Sequence, residues 1–265
     1  MDPQPTADPE QIAEVASELC HFKSLLVITG AGMSADSGLP TYRGVGGLYN
    51  DDSTEDGMPI EQALSGAVFQ TRPEITWKYL GQIEKSCRGA HFNRGHEVLA
   101  RMEKRFERFW ILTQNIDGLH GAAGCRNVIE IHGNLYRLSC TRCQMRTSVE
   151  NYAALTLPPA CPQCDAMLRP EVVLFDEPLP ETALSTLYRE LQDPFDAVMT
   201  IGTSSHFPYI LQPVLMAQQT GRFTVEINPA QTRVSDLVDV KLSAPAATTL
   251  DQIWQQLAEA QDDIG

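Results

Sequence analysis

Apolar residues at Ile12, Val15, Ala16 and Leu19 recur at helical spacing and predict an amphipathic helix over 10–22. A short, nearly continuous apolar run follows, from Leu25 to Thr29, and it breaks at Gly30-Ala31-Gly32. Runs of the same kind recur at 109–113, 128–131, 197–201 and 223–227. Their polar or glycine breaks are Gln114-Asn115, His132-Gly133, Gly202-Thr203-Ser204 and Asn228-Pro229. Strands that are apolar on both faces belong to parallel sheets covered by helices on both sides. Helical stripes fit that picture: Leu184, Leu187, Tyr188 and Leu191, then Leu250, Ile253, Trp254 and Leu257. The pattern predicts an α/β class fold, a Rossmann-like doubly wound parallel sheet.

Two stretches break the alternation. Residues 44 to about 95 hold a glycine-rich loop followed by helical patterns. In them, Thr71 ahead of Pro73 reads as one helix start and Asn93 as the cap of the next. Residues 136–171 hold four paired cysteines. Both read as excursions that together form a smaller lobe, one helical module and one cysteine module. The sheet domain then comprises about 10–43, 96–135 and 172–258, within a single unit of 10–258.

Composition narrows the setting. Hydrophobic residues make up 43% and charged residues 20% of 265, which suits one globular unit with a sizeable core. No apolar run is long enough to span a bilayer, so no membrane association is expected. Residues 1–9 are acidic and Pro-rich, without the basic start or apolar stretch of a secretory signal, and read as a disordered leader. The net charge of −14 disfavours direct nucleic-acid binding, which needs clustered Lys and Arg. It would steer a basic protein or peptide, although on charge alone solubility explains it as well. Seven cysteines, an odd and uneven set, argue for a reducing, cytoplasmic compartment and a metal site rather than disulfides.

The breaks after the strands carry the candidate chemistry. In an open parallel sheet the carboxyl ends share one edge, where ligands bind. Gly30, Gln114, Asn115, Asp117, His132, Ser204 and Asn228 can therefore converge. Gly30-Ala31-Gly32-Met33-Ser34-Ala35 matches the G-x-G-x-x-G/A dinucleotide pattern between strand and helix. A tight structural turn explains it equally well. Asp51 and Asp52 stand near the distance of a ribose-binding acid, but residues 46–50 ahead of them do not read as a strand. Cys140-x-x-Cys143 and Cys161-x-x-Cys164, 17 residues apart, have the spacing of a four-thiolate zinc site. Four thiolates close the tetrahedron, so the zinc would be structural. His132, at a strand end beside small Gly133, which leaves room for a substrate, suits a general base near neutrality, its alternative being a satisfied core or surface histidine. Asp117 could equally orient a ligand or cap a helix.

Together these segments resemble the sirtuin family of NAD-dependent protein deacylases, of bacterial type. Residues 30–43, from Gly30 to Arg43, resemble the NAD signature. Thr113-Gln114-Asn115-Ile116-Asp117-Gly118-Leu119-His120 resembles the second signature, and His132-Gly133 the catalytic pair. Residues 169–175 and Gly202-Thr203-Ser204 match two further segments, and the likeness runs from about 10 to 258. The resemblance implies an active cleft between the sheet domain and the small lobe. It implies that the acyl-lysine carbonyl oxygen displaces nicotinamide from the ribose. His132 would then take a proton from the ribose hydroxyls, letting the 2′-oxygen attack the imidate carbon, and water would complete the reaction to free lysine and 2′-O-acyl-ADP-ribose. His132, Asn115 and Asp117 would be catalytic. Gly30, Ala31, Gly32, Asp36, Tyr42, Arg43, Gln114, Asn115, Asp117, Gly202, Thr203, Ser204 and Asn228 would hold NAD. Val173, Phe175, Asp176 and Phe207 would meet the acyl-lysine peptide.

Departures fall on the peptide side. The family's Phe-Gly-Glu is Phe175-Asp176-Glu177, whose added charge would favour basic peptides. Residues 204–208 lack the usual apolar residues, and Pro208 comes one place early. Ala244 replaces a usual glycine, and Tyr42 a usual Phe. The changes at 175–177 and 205–208 keep open an ADP-ribosyltransferase or NAD glycohydrolase using the same NAD site. Where acidic-acyl members carry Tyr-x-x-Arg, this chain has Tyr79-Leu80-Gly81-Gln82, which implies acetyl or neutral longer acyl over succinyl.

Overall fold

The computed structural model describes residues 6–40 and 53–262, so Tyr42, Arg43, Asp51 and Asp52 lie outside the described residues. Six parallel strands form the main sheet: β1 (Ser24–Thr29), β2 (Arg108–Thr113), β3 (Val128–Glu130), β7 (Ala197–Ile201), β8 (Phe223–Ile227) and β9 (Val240–Leu242). Their order is β3-β2-β1-β7-β8-β9. The strand β9, whose middle residue is Lys241, is not among the apolar runs read from the sequence.

The continuous apolar runs resolve into two faces. Leu25 and Val27 of β1 point into one core with Phe109, Ile111 and Met199. That core is covered by α1 (Pro9–His21), α6 (Arg94–Arg105) and α10 (Ala246–Asp262). Leu26 and Ile28 point the other way, with Leu112, Ile129 and Val198. Helices α8 (Glu181–Glu190) and α9 (Pro208–Gln219) cover that face. Successive strand residues alternate sides, so a strand buried on both faces has no position that must be polar, and its few polar residues, such as Thr29 and Thr113, are buried and bonded to one another.

The small lobe is one body made of both excursions. Helices α3 (Ile60–Ala63), α4 (Gly66–Thr71) and α5 (Pro73–Cys87) follow the short α2 (Ala31–Ala35). An antiparallel sheet β5-β4-β6 comprises β4 (Gly133–Cys140), β5 (Arg146–Ser148) and β6 (Leu168–Val172). Trp77 and Leu80 of α5 share a core with Leu135, Leu138 and Tyr152, and the Trp77 and Tyr152 rings lie 5.6 Å apart. Buried residues of both segments form one shared core.

Several local expectations change. Asn93 does cap α6, accepting from the Gly95 and His96 N–H groups. Thr71 does not cap α5: it ends α4 and its hydroxyl donates back to the Ala67 carbonyl, while Arg72 precedes Pro73. Tyr188 is 49% exposed, because the stripe on α8 is narrower than its spacing suggested. Order also reaches into the expected leader. Helix α1 begins at Pro9, Asp8 caps it by accepting from the Glu10 N–H, and Ala7 is buried. Among the described residues no helix is long and apolar enough to cross a membrane.

Candidate functional site

The chain winds from β1 through β2 to β3 on one side and from β7 through β8 to β9 on the other. In an open parallel sheet the ligand crevice lies where the direction reverses, here at the carboxyl ends of β1 and β7. Gly30 follows β1 and Gly202 follows β7. The Gly30 N–H donates to the Ile201 carbonyl and the Gly32 N–H to the Gly202 carbonyl. Gly202 has φ +58°, and a Cβ there would sit 2.5 Å from the Gly32 carbonyl carbon. The first turn of the dinucleotide pattern is therefore built against the β7 turn. The close approach that Gly32 permits is to backbone, in addition to any ligand.

Polar side chains from four segments join behind this turn. The Asn115 amide donates to the Gly30 carbonyl at 3.0 Å and to Ser34 Oγ at 3.1 Å. Ser34 in turn donates to Asp117 Oδ2 at 2.7 Å. The other Asp117 oxygen accepts the Leu119 N–H, beginning the short helix α7 (Leu119–Ala122). Asp117 is thus both a local cap and a member of the cluster. Burial raises its carboxyl pKa, against the opposing pull of those two donors. The Gln114 amide donates to Thr203 Oγ1 at 2.7 Å, and the Asn228 amide to the Thr203 carbonyl at 3.1 Å. Ser34 was read only as part of a motif, and nothing in its spacing marks it as the link between Asn115 and Asp117.

His132 follows β3 at the same edge. Its Nδ1 lies 3.1 Å from the Gln114 carbonyl, which can only accept, so Nδ1 carries the proton. Its Nε2 lies 2.7 Å from the Tyr209 hydroxyl. Burial lowers the imidazole pKa, partly offset by the Gln114 carbonyl, so the ring is a neutral base near pH 7. Gly133 does not serve mainly to leave room for a substrate. It has φ +82°, and a Cβ would fall onto the Glu171 carbonyl of β6. Its missing side chain lets β4 join β6 immediately after His132.

The expected peptide segments flank this ring. The Val173 N–H donates to the His132 carbonyl, and Phe175 pairs through its backbone with Leu64 and Gly66. Phe175 and Phe207 are exposed large apolar side chains. Asp176 is exposed and left-handed at φ +67°. Glu177 holds this turn by a bidentate pair to Arg169, both contacts 2.8 Å, and by accepting the Leu174 N–H. Phe207 meets the His132 ring edge-on at 5.7 Å.

Two side chains singled out from the sequence, Asp36 and Tyr79, have partners away from the crevice cluster. Asp36 accepts the Ala247 N–H, capping the first turn of α10 rather than facing the crevice cluster. Ser204 is exposed, and no side-chain bond fixes it among the described residues. Tyr79 is buried in the small-lobe core and donates to Asp56 Oδ2 at 2.5 Å, while Gln82 is exposed. The structure adds Tyr209, which the sequence did not single out. Its signal was the altered segment before α9, read only as a change to the peptide groove.

The four paired cysteines converge as their spacing implied. All four Sγ atoms lie within 4.8 Å of one another. Cys140 and Cys164 are 3.4 Å apart, Cys143 and Cys161 3.7 Å. A tetrahedron with Zn–S of about 2.3 Å has edges of about 3.8 Å, so zinc fits. The N–H groups of Arg142 and Cys143 point at Cys140 Sγ, which stabilises a thiolate.

A Sir2 family model matches residues 30–208. The chain is 50% identical over 245 residues to NAD-dependent protein deacylase 2 of Pseudomonas aeruginosa, covering 91% of this chain and 95% of that one. It is 35% identical over 242 residues to an NAD-dependent protein deacylase of Aquifex aeolicus, covering 91% and 98%. Among solved structures it resembles a Sir2 homolog–NAD complex, with TM-score 0.83 and 32% identity over 93% of this chain and 94% of that chain. A Sir2–p53 peptide–NAD+ complex matches with TM-score 0.78 and 26% identity, over 95% and 98%. A matched family model over most of the chain, half-identical relatives and the shared fold agree: this chain belongs to the Sir2 family.

Proposed function

We propose that the chain removes acetyl or neutral longer acyl groups from protein lysines with NAD as co-substrate, releasing nicotinamide and 2′-O-acyl-ADP-ribose. The observation that carries this reading is His132, a neutral imidazole with its lone pair on Nε2, held at the crevice edge where Gln114, Asn115, Asp117 and Ser34 converge. The relatives named as NAD-dependent protein deacylases align over nearly their whole length, which supports the same chemistry here.

His132 is the general base that accepts a proton from a ribose hydroxyl. Asn115 and Asp117, coupled through Ser34, position the ribose. Gly30, Ala31, Gly32, Gly202, Thr203, Ser204 and Asn228 line the crevice side, with Tyr42 and Arg43 as further NAD contacts. Cys140, Cys143, Cys161 and Cys164 hold a structural zinc with no open position for catalysis. Val173, Phe175, Asp176 and Phe207 form the lip that meets the peptide. The exposed Asp176 and the net charge of −14 favour a substrate that is basic around the lysine. Acidic acyl groups are disfavoured: the Tyr79 phenol is engaged by an aspartate, and position 82 supplies no guanidinium. Free cysteines suit a cytoplasmic setting.

Mass spectrometry of products from NAD and a panel of acyl-peptides tests the reading. Expected are deacylated peptide and acyl-ADP-ribose in equal amounts, with acetyl removed faster than succinyl, and loss of activity in His132→Ala. Plain ADP-ribose, or ADP-ribose attached to protein, as the main product would refute it.

A further inference from the structure

The two nitrogens of His132 are both engaged, and the partner of Nε2 bears on how the base is used. With the proton on Nδ1, the ring has one lone pair, on Nε2. Burial pushes the Tyr209 phenol up to about 12, so its hydroxyl stays protonated and donates to that lone pair. Tyr209 stands in the first turn of α9, and its ring stacks on Phe207 with centroids 5.4 Å apart and planes 10° from parallel. Both rings meet the imidazole edge-on, at 84° and 87°. The imidazole is thus gripped by the Gln114 carbonyl on one side and by an aromatic pair ending in a hydroxyl on the other. Tyr209 is half-buried, and among the described residues its hydroxyl bonds to His132 alone.

We propose that Tyr209 is a positioning residue that caps the catalytic base: its hydroxyl occupies the lone pair of His132, and a substrate hydroxyl reaches Nε2 only by displacing it. One lone pair cannot accept two donors, so the exchange is obligatory if His132 is the base, the reading on which this inference rests. The cap fixes ring orientation before the co-substrate arrives, while the Gln114 carbonyl fixes the tautomer. It also opposes binding of the ribose hydroxyl by one hydrogen bond.

Tyr209→Phe tests this, since it keeps the ring stack and removes only the hydroxyl. In nitrogen-15 spectra of the free protein, the Nε2 resonance of His132 should move toward that of an unbonded acceptor nitrogen. With NAD and an acetyl-peptide, kcat/KM for NAD should rise about three- to tenfold, the range for one net hydrogen bond. An unmoved Nε2 resonance, an unchanged kcat/KM or a fall in kcat/KM each overturns the cap, the last by making the hydroxyl a participant in proton transfer. His132→Ala in the same assay separates the two readings. If it is inactive while Tyr209→Phe matches wild type, the cap alone fails. If it retains full activity, the base assignment fails and the cap with it.

Discussion

Two buried histidines behind the crevice set a pH limit on stability. His96 on α6 and His120 on α7 face each other with ring centroids 4.8 Å apart. His96 Nδ1 accepts the Asn93 N–H, so its proton is on Nε2, which has no partner among the described residues. His120 Nε2 lies 2.9 Å from Thr29 Oγ1, and Thr29 donates onward to Thr113 Oγ1, so His120 Nδ1 is bare. Protonating His120 would put an unpaired N–H⁺ on that bare nitrogen. Burial lowers His96 to about 4 and His120 to about 3. An unfolded histidine titrates near 6.5. Between those values the unfolded chain binds protons that the folded chain refuses, so stability is full above about pH 6.5 and falls as pH drops toward the folded values. At pH 5 each histidine costs about 2 kcal/mol relative to pH 7.5, or about 4 kcal/mol together. Urea unfolding followed by tryptophan fluorescence at the two pH values measures this loss. His96→Gln, whose side-chain oxygen can still accept the Asn93 N–H, should shrink the pH-dependent loss by about 2 kcal/mol. Comparing losses within each variant cancels groups common to both. A wild-type loss below about 1 kcal/mol, or an equal loss in His96→Gln, would refute the argument.

Three further outcomes follow from the same geometry. Gly202→Ala forces a left-handed backbone and drives a Cβ into Gly32, so thermal melting should show a loss of at least about 2 kcal/mol together with weakened NAD binding by calorimetry. Cys161→Ser should lose one bound zinc per chain by elemental analysis, and small-lobe amides should then exchange faster than those of the main sheet. Glu177→Gln breaks the bidentate pair to Arg169, both side chains partly exposed. It should cost about 1–2 kcal/mol in chemical unfolding and raise KM for peptide more than for NAD, because the turn at Asp176 loses its anchor.

The sequence alone carried the large architecture and the chemistry-bearing residues. Continuous apolar runs ending in glycine or polar residues reflect local rules: strand burial on two faces and turn chemistry. The cysteine spacing likewise states its own geometry, because each Cys-x-x-Cys knuckle presents two thiolates from one turn. What these rules cannot give is which surfaces meet. Asp36 sits in a motif that suggested a ligand, but the packing of α10 brings the Ala247 N–H to its carboxylate. Gly133 looked like space for a substrate until β6 was seen against it. Ser34, Asn115 and Asp117 became one cluster only when β1 and β2 paired in register. His132 shows the division most clearly. Its place after a strand marked it as a candidate base, but the Gln114 carbonyl that fixes its proton and the Tyr209 hydroxyl on its lone pair come from positions 18 and 77 residues away. Hydrogen bonds between such distant groups depend on the closure of the whole sheet, and no local pattern encodes them.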